Sequence, residues 1–230
     1  MIPVHDDNPT RITPWVTWAL IGACVLVFLW QWSSGEAWFG AIVAGLGATP
    51  EVIFGRDGAS DEPVWVAPWA TVFTSMFLHG SLAHLFGNML FLWVFGNNIE
   101  DAMGHGRFIV FYLTCGAIAV FAQALPDPSS AVPMVGASGA ISGVLGAYLL
   151  LYPKARVLLA LPPPLIFFTI GWVRAVWVLA AWFIGQVAMG WFSGMSGGGV
   201  ALGAHIGGFV AGMLLIPLFK ARHVPLWRSH

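Results

Sequence analysis

The sequence predicts an all-α membrane protein: a bundle of six transmembrane helices with a long, partly interfacial first outer loop and both termini cytoplasmic. Three observations carry this. Of 230 residues, 58% are hydrophobic and 8% charged, against about 25% charged in a soluble domain. Six apolar stretches approach the roughly 20 residues that a bilayer core demands. With six spans, Arg11, Arg107, Lys154, Arg156, Arg174, Lys220, Arg222 and Arg228 all fall on one side, while Arg56 alone falls on the other, beside Glu51, Asp57, Asp61 and Glu62. Such a bias marks the cytoplasmic side, and an odd span count would scatter it.

In chain order, residues 1–14 are a short polar cytoplasmic tail with no clear element, without the basic start of a cleaved signal. Span 1 covers 15–32 and has tryptophans at both ends, the usual interface anchors. The connection 33–72 contains an apolar piece, 37–46, that is too short to cross and so lies in the interface or on the bundle, and a wet acidic patch at 55–63. Span 2 covers 73–99 and is entered through His79-Gly80; 100–107 is a tight polar turn. Span 3 covers 108–125, and the proline and aspartate cluster at 126–130 is a turn. Span 4 covers 135–152. The stretch 157–170 is apolar but broken by Pro162, Pro163 and Pro164, which reads as irregular or interfacial. Span 5 covers 172–192, and 193–199 is a glycine-rich turn. Span 6 covers 200–219, and 220–230 is a basic cytoplasmic tail. The chain is thus one bundle domain, 15–219, between two tails.

Composition also excludes. A net charge of -1 leaves no electrostatic footprint for nucleic acid. Cys24 and Cys115 lie inside apolar runs and read as small core residues. There is no His-Glu-x-x-His for zinc, no mid-span aspartate pair, and no mid-span acid to relay protons or coordinate cations, which argues against a transporter. No cofactor or metal is expected. The partners expected are membrane lipids and other membrane proteins.

The polar residues that remain converge. Spans 2, 4 and 6 run in the same direction, from outside to inside. At a rise of about 1.5 Å per residue, Ser138 near the outer start of span 4 and His205 near the outer start of span 6 lie within a turn or two of one depth. His84 and Asn88 are an i, i+4 pair on one face of span 2. Glycines at 136, 139, 143 and 146 give span 4 a face without side chains, and small residues at 203, 207, 208 and 212 do the same for span 6, so the two helices can approach closely. A serine on a glycine-rich face is by itself a packing residue. Joined to a histidine at its own depth, it becomes a nucleophile with a base. The Ser138 N–H, His84 and Asn88 are then the donors for an oxyanion. No acidic residue lies in an outer half-span, which leaves a Ser138–His205 dyad with the histidine oriented by packing.

These residues resemble the rhomboid family of intramembrane serine proteases. The resemblance rests on Gly136-Ala137-Ser138-Gly139, on Ala204-His205-Ile206-Gly207-Gly208, and on His84-Leu85-Phe86-Gly87-Asn88 with His79 before it. Glu100-Asp101-Ala102-Met103-Gly104 leading to Tyr112 adds to it, and in all it covers about residues 69–217. It implies a Ser138–His205 dyad, an oxyanion site from His84, Asn88 and the Ser138 N–H, and a single transmembrane helix as substrate. That helix would unwind into a cavity opened by tilting of span 5, with cleavage near helix-breaking residues after a small residue. A bacterial inner membrane is the expected location. Two positions depart from the family pattern: Trp69-Ala70 stands where Trp-Arg is common, and Ser142 stands where some members carry an aromatic under the histidine. The alternative function is a non-catalytic rhomboid-like protein that binds transmembrane helices without cutting them.

Overall fold

The computed structural model describes residues 1–55, 64–162, 164–165, 167–193 and 201–227. Most of the acidic patch at 55–63 and of the glycine-rich turn at 193–199 lies outside these, as do Arg56 and Arg228. The described chain is mostly helical. It runs β1 (Ile2–Asp6), α1 (Trp15–Ser33), α2 (Glu36–Leu46), α3 (Pro50–Ile53), α4 (Pro68–Thr74), a 3-10 turn (Ser75–Phe77), α5 (Leu82–Met103), α6 (His105–Ala124), α7 (Ser138–Leu151), β2 (Arg156–Ala160), β3 (Thr169–Arg174), α8 (Ala175–Ser193) and α9 (Leu202–Phe219).

Three of these helices, α1, α6 and α9, are long and apolar enough to cross a membrane. A fourth span results if Pro68–Phe77 and α5, which meet at an 82° bend, are counted together. The bend is where span 2 departs from the expected continuous helix. Leu78 leaves the helical region, and Ser81 caps α5 by accepting from the His84 N–H at 3.1 Å. Three further apolar helices among the described residues, Glu36–Leu46, Ser138–Leu151 and the Ala175–Ala188 part of α8, are shorter. α7 has 14 residues, about 21 Å of helix against a hydrocarbon core of about 30 Å. It is the hub: every residue from Gly139 to Tyr148 is buried, and α5, α6, α8 and α9 all pack on it.

The glycines explain how so short a helix can sit at the centre. A Cβ at Gly208 would collide with the Gly139 carbonyl oxygen, one at Gly212 with that of Gly143, and one at Gly146 with that of Phe209. The backbones of α7 and α9 are therefore in direct contact at three points along about two turns. On its other flank, a Cβ at Gly143 would meet the Cys115 side chain of α6 at 2.5 Å. Both cysteines are fully buried core residues.

Two sequence expectations are corrected. The N-terminal segment is not elementless: β1 pairs antiparallel with β2, and β2 with β3, in the order β1-β2-β3. The apolar run 157–170 is likewise a hairpin, with Pro162 in its connection. Pro3, which has no N–H to give, is tolerated because β1 is an edge strand, and the pairing shifts register between Pro3 and His5. A short strand whose partner lies about 150 residues away, as β1 does from β2, carries no local signal.

Polar side chains tie this end of the bundle together. Glu100, fully buried, accepts from the N–H groups of Val16 (2.9 Å) and Thr17 (2.8 Å) and from the Thr17 hydroxyl (2.6 Å), and it pairs with His105 Nδ1 at 2.5 Å. Asp101 accepts from the N–H groups of Arg11 and Ile12 at 2.9 and 3.0 Å. α1 has no side-chain cap of its own, its N-cap being Pro14. A carboxylate from α5 supplies what its orphan first-turn donors need. Asp6 accepts from the Tyr148 hydroxyl at 2.5 Å, and Asn98 donates to the Asn8 carbonyl at 2.7 Å.

Candidate active site

Ser138 is the first residue of α7. What precedes it is shaped for close approach. Gly136 has φ +124°, and a Cβ there would meet His84 Cε1 at 2.7 Å and Nε2 at 2.8 Å. Only glycine satisfies both the backbone angle and the imidazole. Its N–H donates to the Ser75 carbonyl at 2.9 Å, which pins the entry to α7 against the bend before α5. Being the first residue of a helix, Ser138 has an N–H without an intrahelical acceptor, at the positive end of the helix dipole.

His205 sits in the first turn of α9, its ring held at the depth of Ser138 by the glycine contact. Its Nε2 is 2.8 Å from Ser138 Oγ. The pair lies at a cavity of about 680 Å³ whose walls include His84, Asn88 and Trp182. The Asn88 side chain is buried, and its Nδ2 has no hydrogen-bond partner among the described residues. It lies 3.8 Å from the Cβ position of Gly136, on the same side as His84. A serine, an imidazole within hydrogen-bond reach and two further side-chain nitrogens from α5 thus face one space. That arrangement can deprotonate a hydroxyl and receive negative charge beside it.

His79 is elsewhere. It is buried in the bend, its N–H donates to Gln31 Oε1 at 3.1 Å, and its ring meets that of His84 edge-on at 5.2 Å. It holds the bend and buttresses His84.

The expectation that packing alone orients His205 is corrected. Nδ1 lies 2.8 Å from Gln186 Oε1 of α8. The Trp182 ring, one turn earlier on α8, lies 5.9 Å from the imidazole at 37°. Ser142 does not replace the missing aromatic; its hydroxyl donates back to the Ser138 carbonyl at 2.6 Å. Gln186 was missed, yet it had a signal: after Arg174 it is the one side chain in 172–192 with hydrogen-bonding groups other than tryptophan, and such a group is costly in lipid unless it has a purpose. Without an arginine at position 70, the connection between α1 and α5 is held by other means. The Trp65 N–H donates to the Gly45 carbonyl at 3.0 Å, Thr74 Oγ1 to the Leu46 carbonyl at 2.6 Å, and Ala48 pairs with Met134.

Apolar helices around a half-buried serine–histidine pair define the class, an integral membrane protein with polar side chains lodged among its helices. The Rhomboid domain model matches residues 67–222, and the chain belongs to the rhomboid family. It is 34% identical over 156 residues to Rhomboid protein 1, mitochondrial, of Saccharomyces cerevisiae, covering 65% of this chain and 42% of that protein. It is 42% identical over 81 residues to Rhomboid protease GluP of Bacillus subtilis, covering 35% of this chain and 15% of that protein. It is 29% identical over 204 residues to Rhomboid protease GlpG of Salmonella choleraesuis, covering 87% of this chain and 61% of that protein. In each case the match spans less than two thirds of the relative's own length.

Proposed function

We propose that this protein is an intramembrane serine endopeptidase that cleaves transmembrane segments of other membrane proteins. The observation that carries the reading is the 2.8 Å approach of His205 Nε2 to Ser138 Oγ at the cavity. The names of two relatives, both proteases, support it.

In this mechanism His205 takes the Ser138 proton as Oγ attacks the peptide carbonyl. Charge on the tetrahedral oxyanion is received by the Ser138 N–H, the Asn88 amide and His84, each such donor being worth about 10²- to 10³-fold in rate. The imidazolium returns its proton to the leaving amine, and a water activated by the same imidazole hydrolyses the acyl-serine. A peptide must be extended to reach the site, so substrates carry helix-breaking residues, with a small residue before the bond to fit the glycine-lined floor. Substrate entry is between α5 and α8, both of which contribute to the cavity wall and which share few contacts among the described residues.

The six-span topology belongs to the same reading. α7 and α8, though short, each cross, residues 15–219 form the protease domain, and both termini are cytoplasmic. Arg11, Lys154, Arg156 and Lys220 then lie at the end where α5 and α7 finish, as the bias of basic residues requires. A bacterial inner membrane is the location we assign.

The test is labelling of purified protein in detergent with a fluorescent fluorophosphonate, together with cleavage of a transmembrane reporter. Labelling and cleavage in wild type, both lost in Ser138→Ala and His205→Ala, are the expected result. A folded wild type that neither labels nor cleaves but retains reporter helices would instead be the non-catalytic binder.

A further inference from the structure

We infer that Gln186 is the positioning residue of the Ser138–His205 pair, and that it acts by selecting the tautomer of His205. This deepens the protease reading and rests on it for its catalytic consequence, though not for its geometry.

A neutral imidazole carries one proton on one of two nitrogens. Ser138 can lose its proton only to an Nε2 that carries none. Nothing about the serine enforces this, because a hydroxyl both donates and accepts and is satisfied by either tautomer. The choice falls to whatever faces Nδ1. Here that group is the side-chain oxygen of Gln186, at 2.8 Å, an acceptor only. It takes a hydrogen bond from Nδ1–H and so leaves the Nε2 lone pair directed at Ser138 Oγ, also at 2.8 Å. The same atom confers a second property. A neutral amide oxygen stabilises the developing imidazolium less than a carboxylate would, but it does not require a charge to be desolvated inside a bilayer. An amide therefore does in lipid what the buried acid does in the triads of water-soluble serine proteases.

Gln186 and Trp182 are four residues apart and share one face of α8. The hydrogen bond and the ring contact that orient the base both come from this helix, while the base itself rides on α9 and the nucleophile on α7. The base is armed only while α8 is seated against α9. A displacement of α8 that removed Gln186 from Nδ1 would free the ring to take the wrong tautomer.

The experiment is nitrogen NMR of protein with ring-labelled histidine in detergent, the His205 signals being assigned by their loss in His205→Ala, with fluorophosphonate labelling rates on the same samples. In wild type His205 is expected to carry its proton on Nδ1. In Gln186→Met, which keeps length and volume but has no oxygen, the Nδ1-protonated form is expected to lose its dominance, and Ser138 to label at least about tenfold more slowly. Gln186→Glu, which keeps an acceptor oxygen, is expected to keep the Nδ1 proton and label faster than Gln186→Met. Circular dichroism and thermal unfolding separate this from misfolding. Should Gln186→Met fail to fold, Gln186→Glu against wild type still reads the tautomer. An Nε2-protonated His205 in wild type, or an unchanged tautomer and rate in Gln186→Met, overturns the inference. If the tautomer follows Gln186 as stated but Ser138 labels in no form, the positioning stands and the protease reading is what fails.

Discussion

Gly212 of α9 lies against Gly143 of α7 so closely that a single added methyl group would run into the Gly143 carbonyl. This contact and its neighbour between Gly208 and Gly139 set the separation of the two helices that carry His205 and Ser138. Gly212→Ala is expected to cost about 1–3 kcal/mol through overpacking and to slow fluorophosphonate labelling, because it parts nucleophile from base. Gly22→Ala and Gly40→Ala, where nothing lies within 4 Å of the new Cβ, leave both unchanged. Thermal unfolding and labelling on one set of samples check this.

Asn88 presents a buried amide nitrogen with no partner among the described residues. Such a group costs stability in a resting protein. Asn88→Ala is therefore expected to lower reporter cleavage by about 10²-fold while leaving the unfolding temperature unchanged or raised. Falls in both together would mean that the side chain is structural.

Asp6 has its carboxyl pushed up from 3.8 to about 6, chiefly by burial, against the opposing hydrogen bond from Tyr148. A raised value means that the folded chain prefers the protonated acid. The contribution of Asp6 is therefore fully present below about 4 and is lost as pH rises through about 6. Unfolding temperatures compared across that window are expected to fall with rising pH more steeply in wild type than in Asp6→Asn. Equal slopes would remove Asp6 from the account.

Glu100 closes the first turn of α1 from another helix. Glu100→Ala leaves the buried N–H and hydroxyl of Thr17 and the half-buried N–H of Val16 without their acceptor, and about 1–3 kcal/mol of stability should go with them. Because the carboxylate is fully buried, the loss should persist in high salt, unlike that of a surface ion pair. Unfolding at two ionic strengths distinguishes the cases.

The helices were legible because their signals are local. Apolar stretches gave α1, α6 and α9 to within a few residues, and glycine spacing marked the faces of α7 and α9 that meet. Ser138, His205, His84 and Asn88 could be brought to one level by counting residues along helices of known rise. The bend at 78–81 and the late start of α7 were not legible, since a cap at Ser81 and a positive φ at Gly136 act within single residues of otherwise apolar runs.

What the sequence determined by itself was membrane residence, family membership and which polar side chains share a depth, all of which depend on composition, order and spacing along the chain. What only the tertiary structure decided was azimuth and distant pairing. The rotation of α8 about its own axis turns Gln186 rather than a neighbouring apolar residue toward His205 Nδ1. The pairing of Ile2–Asp6 with Arg156–Ala160 makes a strand of a polar tail. Neither is encoded locally, because in an almost uniformly apolar helix no hydrophobic stripe announces the inward face, and a strand finds its ladder hydrogen-bonding partners on other strands.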